Sequence, residues 1–156
     1  MHRGIGFAFF TALSILLLAL YAPAKRSAEC DQAAPMRVYS NAWVDKETGD
    51  LNGFELAIKN TASHEIEALL YVFEGAPDQG IRLMGRISGE NVEIKGDWIE
   101  HQIEYPSKRE IIQTHFVKID GTLKPAAFRG KISIKDLGID SHVRLKRVKH
   151  IWVCKP

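Results

Sequence analysis

His101 and His115 lie on either side of Pro106-Ser107-Lys108-Arg109, a turn sequence between two β-favouring runs. If those runs pair with Tyr105 near Glu110 or Arg109, His101 comes opposite Thr114 or His115. With Glu100 or Glu104 close by, such a histidine pair supplies the imidazole and carboxylate ligands that suit zinc or copper. A register shift of one residue sends one histidine to the other face, and the spacing follows no metal signature. Glu93, Asp97, Glu100, Glu104 and Glu110 form a second group. Two suitably separated carboxylates hydrolyse glycosides by acid–base chemistry, but strand alternation assigns most of these five to solvated faces.

The third group is basic. From residue 141 to the end there are Arg144, Lys146, Arg147, Lys149 and Lys155 and no acidic residue. Arg144, Lys146 and Lys149 are the candidates for holding a sulfated or phosphorylated polyanion. A charged strand that keeps a sheet soluble and discourages edge pairing looks the same in sequence. The fourth group is aromatic. Tyr71 and Phe73 stand on a run that is apolar on both faces, and with Trp98 and Tyr105 they are candidates for lining a cup for a small apolar ligand. In a small barrel such aromatics also simply fill the interior.

Other chemistries lack their residues. There is no Gly-x-Ser-x-Gly elbow, no phosphate-binding glycine loop and no Cys-x-x-Cys pair. No catalytic residue and no cofactor is implied, and the reading leans away from an enzyme. A formal net charge of +2 is too small to point to nucleic acid.

The elements that position these groups are short and extended. Runs at 38–44, 53–59, 65–74, 81–88, 92–95, 98–105, 111–119, 131–135 and 142–153 alternate with turn residues. In the second run Phe54, Leu56 and Ile58 face one way and Glu55 and Lys59 the other. Gly96-Asp97 and Asp120-Gly121 are expected to be turns, and residues 124–128 one helical turn at most. Eight or nine strands joined by tight turns make an antiparallel meander. The expected fold is all-β: a single small meander closed as a barrel of lipocalin-like or avidin-like architecture, with a two-sheet sandwich as the alternative.

The first 24 residues have the layout of a secretory signal: Arg3, an uncharged apolar stretch over 5–20, and Ala22-Pro23-Ala24. Residues 25–35 form a short leader and 36–156 the β domain. No membrane-spanning segment is expected after cleavage. The two cysteines, Cys30 and Cys154, are expected to form a disulfide, which requires the first and last strands to be neighbours. No Asn-x-Ser/Thr acceptor occurs, which favours a bacterial periplasmic or secreted protein. The functional expectation is an exported, non-enzymatic barrel that binds a small apolar ligand or an envelope component. The alternatives are a module that docks on an anionic surface through the basic last strand and, third, a carboxylate-dependent hydrolase.

Overall fold

The computed structural model of the chain describes residues 36–75, 80–149 and 151–152. Nine strands follow one another: β1 (Arg37–Ser40), β2 (Trp43–Val44), β3 (Leu51–Asn60), β4 (Glu65–Gly75), β5 (Ile81–Ser88), β6 (Asn91–Glu104), β7 (Arg109–Lys124), β8 (Ala127–Ile134) and β9 (Ile139–Val148). A single 3-10 turn, Lys135–Leu137, separates β8 from β9. From β3 to β9 each strand pairs antiparallel with the next. β1 then pairs with both β3 and β9, which closes an eight-stranded barrel. Among the described residues no helix is long and apolar enough to cross a membrane.

Closure comes from the neighbouring of first and last strands: Val38 sits opposite Val148 and Ser40 opposite Lys146. The expected run at 38–44 is one extended path broken in the middle. β1 and β2 keep a common register on β3, and Asn41 fills the gap. Its backbone N–H donates to Phe54 O at 3.1 Å, and its side-chain oxygen accepts from Phe54 N–H at 2.8 Å. Gly53 opposite has φ +109°, and a Cβ there would stand 2.9 Å from that same oxygen, so only glycine fits.

The alternation read along the chain sets the two faces. Leu56, Ile58, Ile66, Leu70, Ile94, Ile119, Phe128, Ile132 and Leu145 point inward and are fully buried in one cluster. Small residues are set against large ones. Gly121 and Gly130 are direct partners across β7 and β8, and the Phe128 ring covers both, 2.7 and 2.6 Å from where their Cβ atoms would be. Such interdigitation is how a barrel of this size fills its interior.

These glycines correct the expected element boundaries. Gly96-Asp97 is not a turn: β6 runs straight through it, and Leu83 occupies the space beside Gly96. Asp120-Gly121 likewise lies inside β7, and β8 begins four residues earlier than expected. Residues 124–128 hold no helical turn; Pro125-Ala126 is a tight connection between paired Lys124 and Ala127.

A second cluster lies outside the wall. Val38, Ala57, Leu69, Tyr71 and Phe73 project from β1, β3 and β4 and are covered by Met36, Ile151 and Trp152. Glu55, on the face opposite Phe54, Leu56 and Ile58 as its spacing set it, is only 1% exposed, and its carboxylate accepts the Trp152 backbone N–H at 2.5 Å. This cluster explains the two apolar faces of β4: one faces the barrel interior and the other Met36, Ile151 and Trp152.

Candidate functional site

The outward face of β7, β8 and β9 carries the basic group. Strand alternation turns Val143 and Leu145 inward and His142, Arg144 and Lys146 outward. The β8–β9 register then sets Arg144 directly opposite Arg129, and the β7–β8 register places Thr122 next in the row. Lys146 stands one row along, opposite Ala127. Thr122, Lys124, Ala126, Ala127, Arg129 and Arg144 line a shallow groove of about 260 Å³. Lys124 at its edge reaches Glu90 at 3.4 Å. Arg129, Arg144 and Lys146 have no carboxylate within ion-pair distance among the described residues. The contrast with the other end of the same strands is clear: there Lys118 pairs with Asp120 and Lys131 with Asp140, both at 2.8 Å.

Two like charges directly opposite each other on a sheet face are destabilising. An arginine pair with no local acid is therefore an arrangement that an anion from outside would relieve. Guanidinium groups bind phosphate, sulfate and carboxylate in two-pronged fashion, and the Thr122 hydroxyl adds a neutral donor. The sequence showed Arg144 and Lys146 on one face. It did not show Arg129 or Lys124, which only the strand order brings alongside. Lys149 is exposed just beyond β9, and Arg147 turns the other way, its guanidinium 5.5 Å from the centre of the Tyr39 ring.

The histidines separate. The β6–β7 register pairs His101 with Ile112 and His115 with Trp98, which puts the two imidazoles on opposite faces of the ribbon. The expected zinc or copper pair is therefore not assembled. His101 falls opposite Ile112, three residues short of the register that would set it against His115. His101 lies outside and bonds Glu110 at 2.7 Å. His115 faces inward at the barrel mouth, only 4% exposed, 5.1 Å from the Trp98 ring centre. Its Nε2 meets Glu100 at 3.0 Å and its Nδ1 meets Asp136 on the 3-10 turn. Burial would lower the His115 pKa, but the bonds and charges of Asp136 and Glu100 outweigh it and hold the pKa above the ordinary 6.5. The bond to His115 keeps Asp136 below its ordinary range. Glu100 is also lowered, first by a bond from Gln102 and then by His115. With both ring nitrogens bonded to carboxylates, the His115 ring ties β6, β7 and the turn together.

The carboxylate group is divided by the same register. Glu93, Asp97 and Glu110 face outward, while Glu100 and Glu104 take the other face. Among the described residues no cluster of histidine and carboxylate groups is arranged to hold a metal ion. The aromatic candidates also disperse. Tyr71 and Phe73 pack outside the wall in the second cluster, their ring centres 6.2 Å apart, and line no interior cup. Trp98 packs at the mouth against the interior cluster, and Tyr105 is 78% exposed at the tip of the β6–β7 hairpin. Cys30 and Cys154 lie outside the described residues.

The molecule is thus a small closed antiparallel barrel with a packed interior and a basic outer groove. Comparison with models of known families, with curated proteins and with solved structures finds no match.

Proposed function

We propose that this protein is a non-enzymatic binding module that docks on an anionic surface through the outward face of β8 and β9. The Arg129–Arg144 pair carries the reading: two guanidinium groups face each other across neighbouring strands, with Lys146 beside them and no carboxylate in reach. The filled interior lends no support to a cup for an apolar ligand, and moves the weight to the surface. The N-terminal layout around Arg3 and residues 5–20 supports an exported chain, which would meet lipid headgroups or sulfated and phosphorylated polymers of an envelope.

Vesicles of phosphatidylglycerol in phosphatidylcholine, and separately a soluble sulfated polysaccharide, test this. Each basic residue close to an anionic surface contributes about 1 kcal/mol. Changing Arg129, Arg144 and Lys146 together to Gln should therefore weaken binding about 100-fold. Raised salt should weaken the unaltered protein in the same sense. Binding of either probe that survives the triple change and high salt alike would refute the proposal.

A further inference from the structure

The β6–β7 ribbon continues past the wall of the barrel. Its last pairing with β5 is at Lys95 and its last with β8 is at Val117. From Ile99 to Thr114 neither edge has a strand neighbour among the described residues. At about 3.3 Å per residue the free part reaches roughly 20 Å beyond the barrel. Two-stranded ribbons are marginal in water when nothing covers them. This one leaves Ile99, Ile103, Ile112 and Phe116 between 53% and 60% exposed. The register sets all four on a single, outward face.

We propose that this face packs on the same face of a second copy of the chain. The two ribbons run antiparallel about a twofold axis through the Ile99–Thr114 pair. Charge selects this arrangement. About that axis Phe116 meets the partner's Ile112, Asp97 meets the partner's His101, and Glu110 meets the partner's Lys118. On the axis Ile99 meets the partner's Ile99, both acids fall on bases, and Ile103 lies over the aliphatic stem of the partner's Lys95. Each contact occurs twice, as a twofold interface requires. The same axis carries the hairpin tip, with Tyr105, to the partner's Glu93. There the outer wall has a groove of about 450 Å³ lined by Glu65, Met84, Arg86, Glu93 and Lys95. Tyr105 is the most exposed of the large apolar side chains, and Met84 in the groove is 52% exposed. Covering these two with the four ribbon residues buries roughly 800 Å² per partner, the size of a standard stable interface. The charged tip, with Glu104, Lys108, Arg109 and Glu110, fits a protein surface and not a bilayer interior.

Sedimentation equilibrium of the purified chain over a hundredfold concentration range tests the proposal. A dimer is expected. Ile99→Asp places two carboxylates against each other on the axis and should weaken the dimer at least about 30-fold while the circular-dichroism spectrum stays unchanged. Glu110→Lys should weaken it about 10-fold, and Glu110→Lys with Lys118→Glu should restore it. A monomer at every concentration overturns the proposal, as does a dimer indifferent to Ile99→Asp. Failure of the double change to recover what Glu110→Lys loses overturns the antiparallel register.

Discussion

Arg144→Glu should make the protein more stable and less able to bind. In the wild-type chain Arg144 lies directly across from Arg129 on the solvent face of β8 and β9. A like-charged pair at such a position costs roughly 0.2–1 kcal/mol and an opposite pair contributes about the same. Exchanging one for the other stabilises the fold by about 1 kcal/mol. In a domain of this size that raises the melting temperature by about 4 °C. The gain belongs to exposed charges, so it should shrink as salt rises and the Debye length falls below about 8 Å. On an anionic vesicle the same change turns an attractive charge into a repulsive one, about 2 kcal/mol or 30-fold in affinity. Scanning calorimetry at low and high salt and vesicle co-sedimentation read the two effects from one variant. If Arg144→Glu melts below the wild type at low salt, or binds vesicles as tightly, the pair is not a binding feature held against stability and the reasoning fails.

Phe128→Ala should cost about 3–5 kcal/mol in urea unfolding, because the fully buried ring covers two glycines that cannot fill its place; a loss below about 1 kcal/mol would mean the interior is not packed as described. The His115 tie should show in the pH dependence of stability. Its raised pKa means that its contribution is complete below the ordinary 6.5 and is lost as pH rises through the raised value. The lowered carboxylates contribute fully above their ordinary values of 4.5 for Glu100 and 3.8 for Asp136, and that part is lost as pH falls through the lowered values. The stability difference between wild type and His115→Gln should thus be largest between about pH 4.5 and 6.5, and a difference that does not vary with pH would contradict the tie. For Cys30 and Cys154, thiol labelling of the native protein made in an oxidising compartment should find no reactive thiol, and reduction should lower the urea midpoint, with about 5 kcal/mol as the upper size of the effect; two labelled thiols would remove the disulfide.

Period-two alternation made the strands legible, and tight turns between them made the meander legible. Phe54, Leu56 and Ile58 do face inward, as their spacing required. Glycine misled. Gly96 and Gly121 punctuate the sequence as turn residues do, yet both sit mid-strand, where a missing side chain makes room for Leu83 or Phe128. Local sequence cannot separate these two uses of glycine, because the neighbour that needs the space comes from another strand. The candidate sites were readable only in part for the same reason. Arg144 and Lys146 share a face by their spacing alone. Arg129 joins them through the pairing of β8 with β9, and Asp136 reaches His115 from a turn 21 positions away in the chain. The histidine pair failed on register, since a shift of one residue separates one shared face from two opposite ones. The burial of Glu55 was not legible, because its cover, Trp152, lies 97 positions further on.

The clasp between β1 and β9 joins segments from opposite extremes of the domain. A cylinder fastened in this way cannot be completed from any partial length of chain. Until the ninth strand is present, the edge of the first that faces it stays unpaired along an open seam. Contacts of such long range make for slow folding, on a scale of milliseconds to seconds. Synthesis, at about 5–20 residues per second, is slower still, so the arrival of the last strand sets when the cylinder can lock.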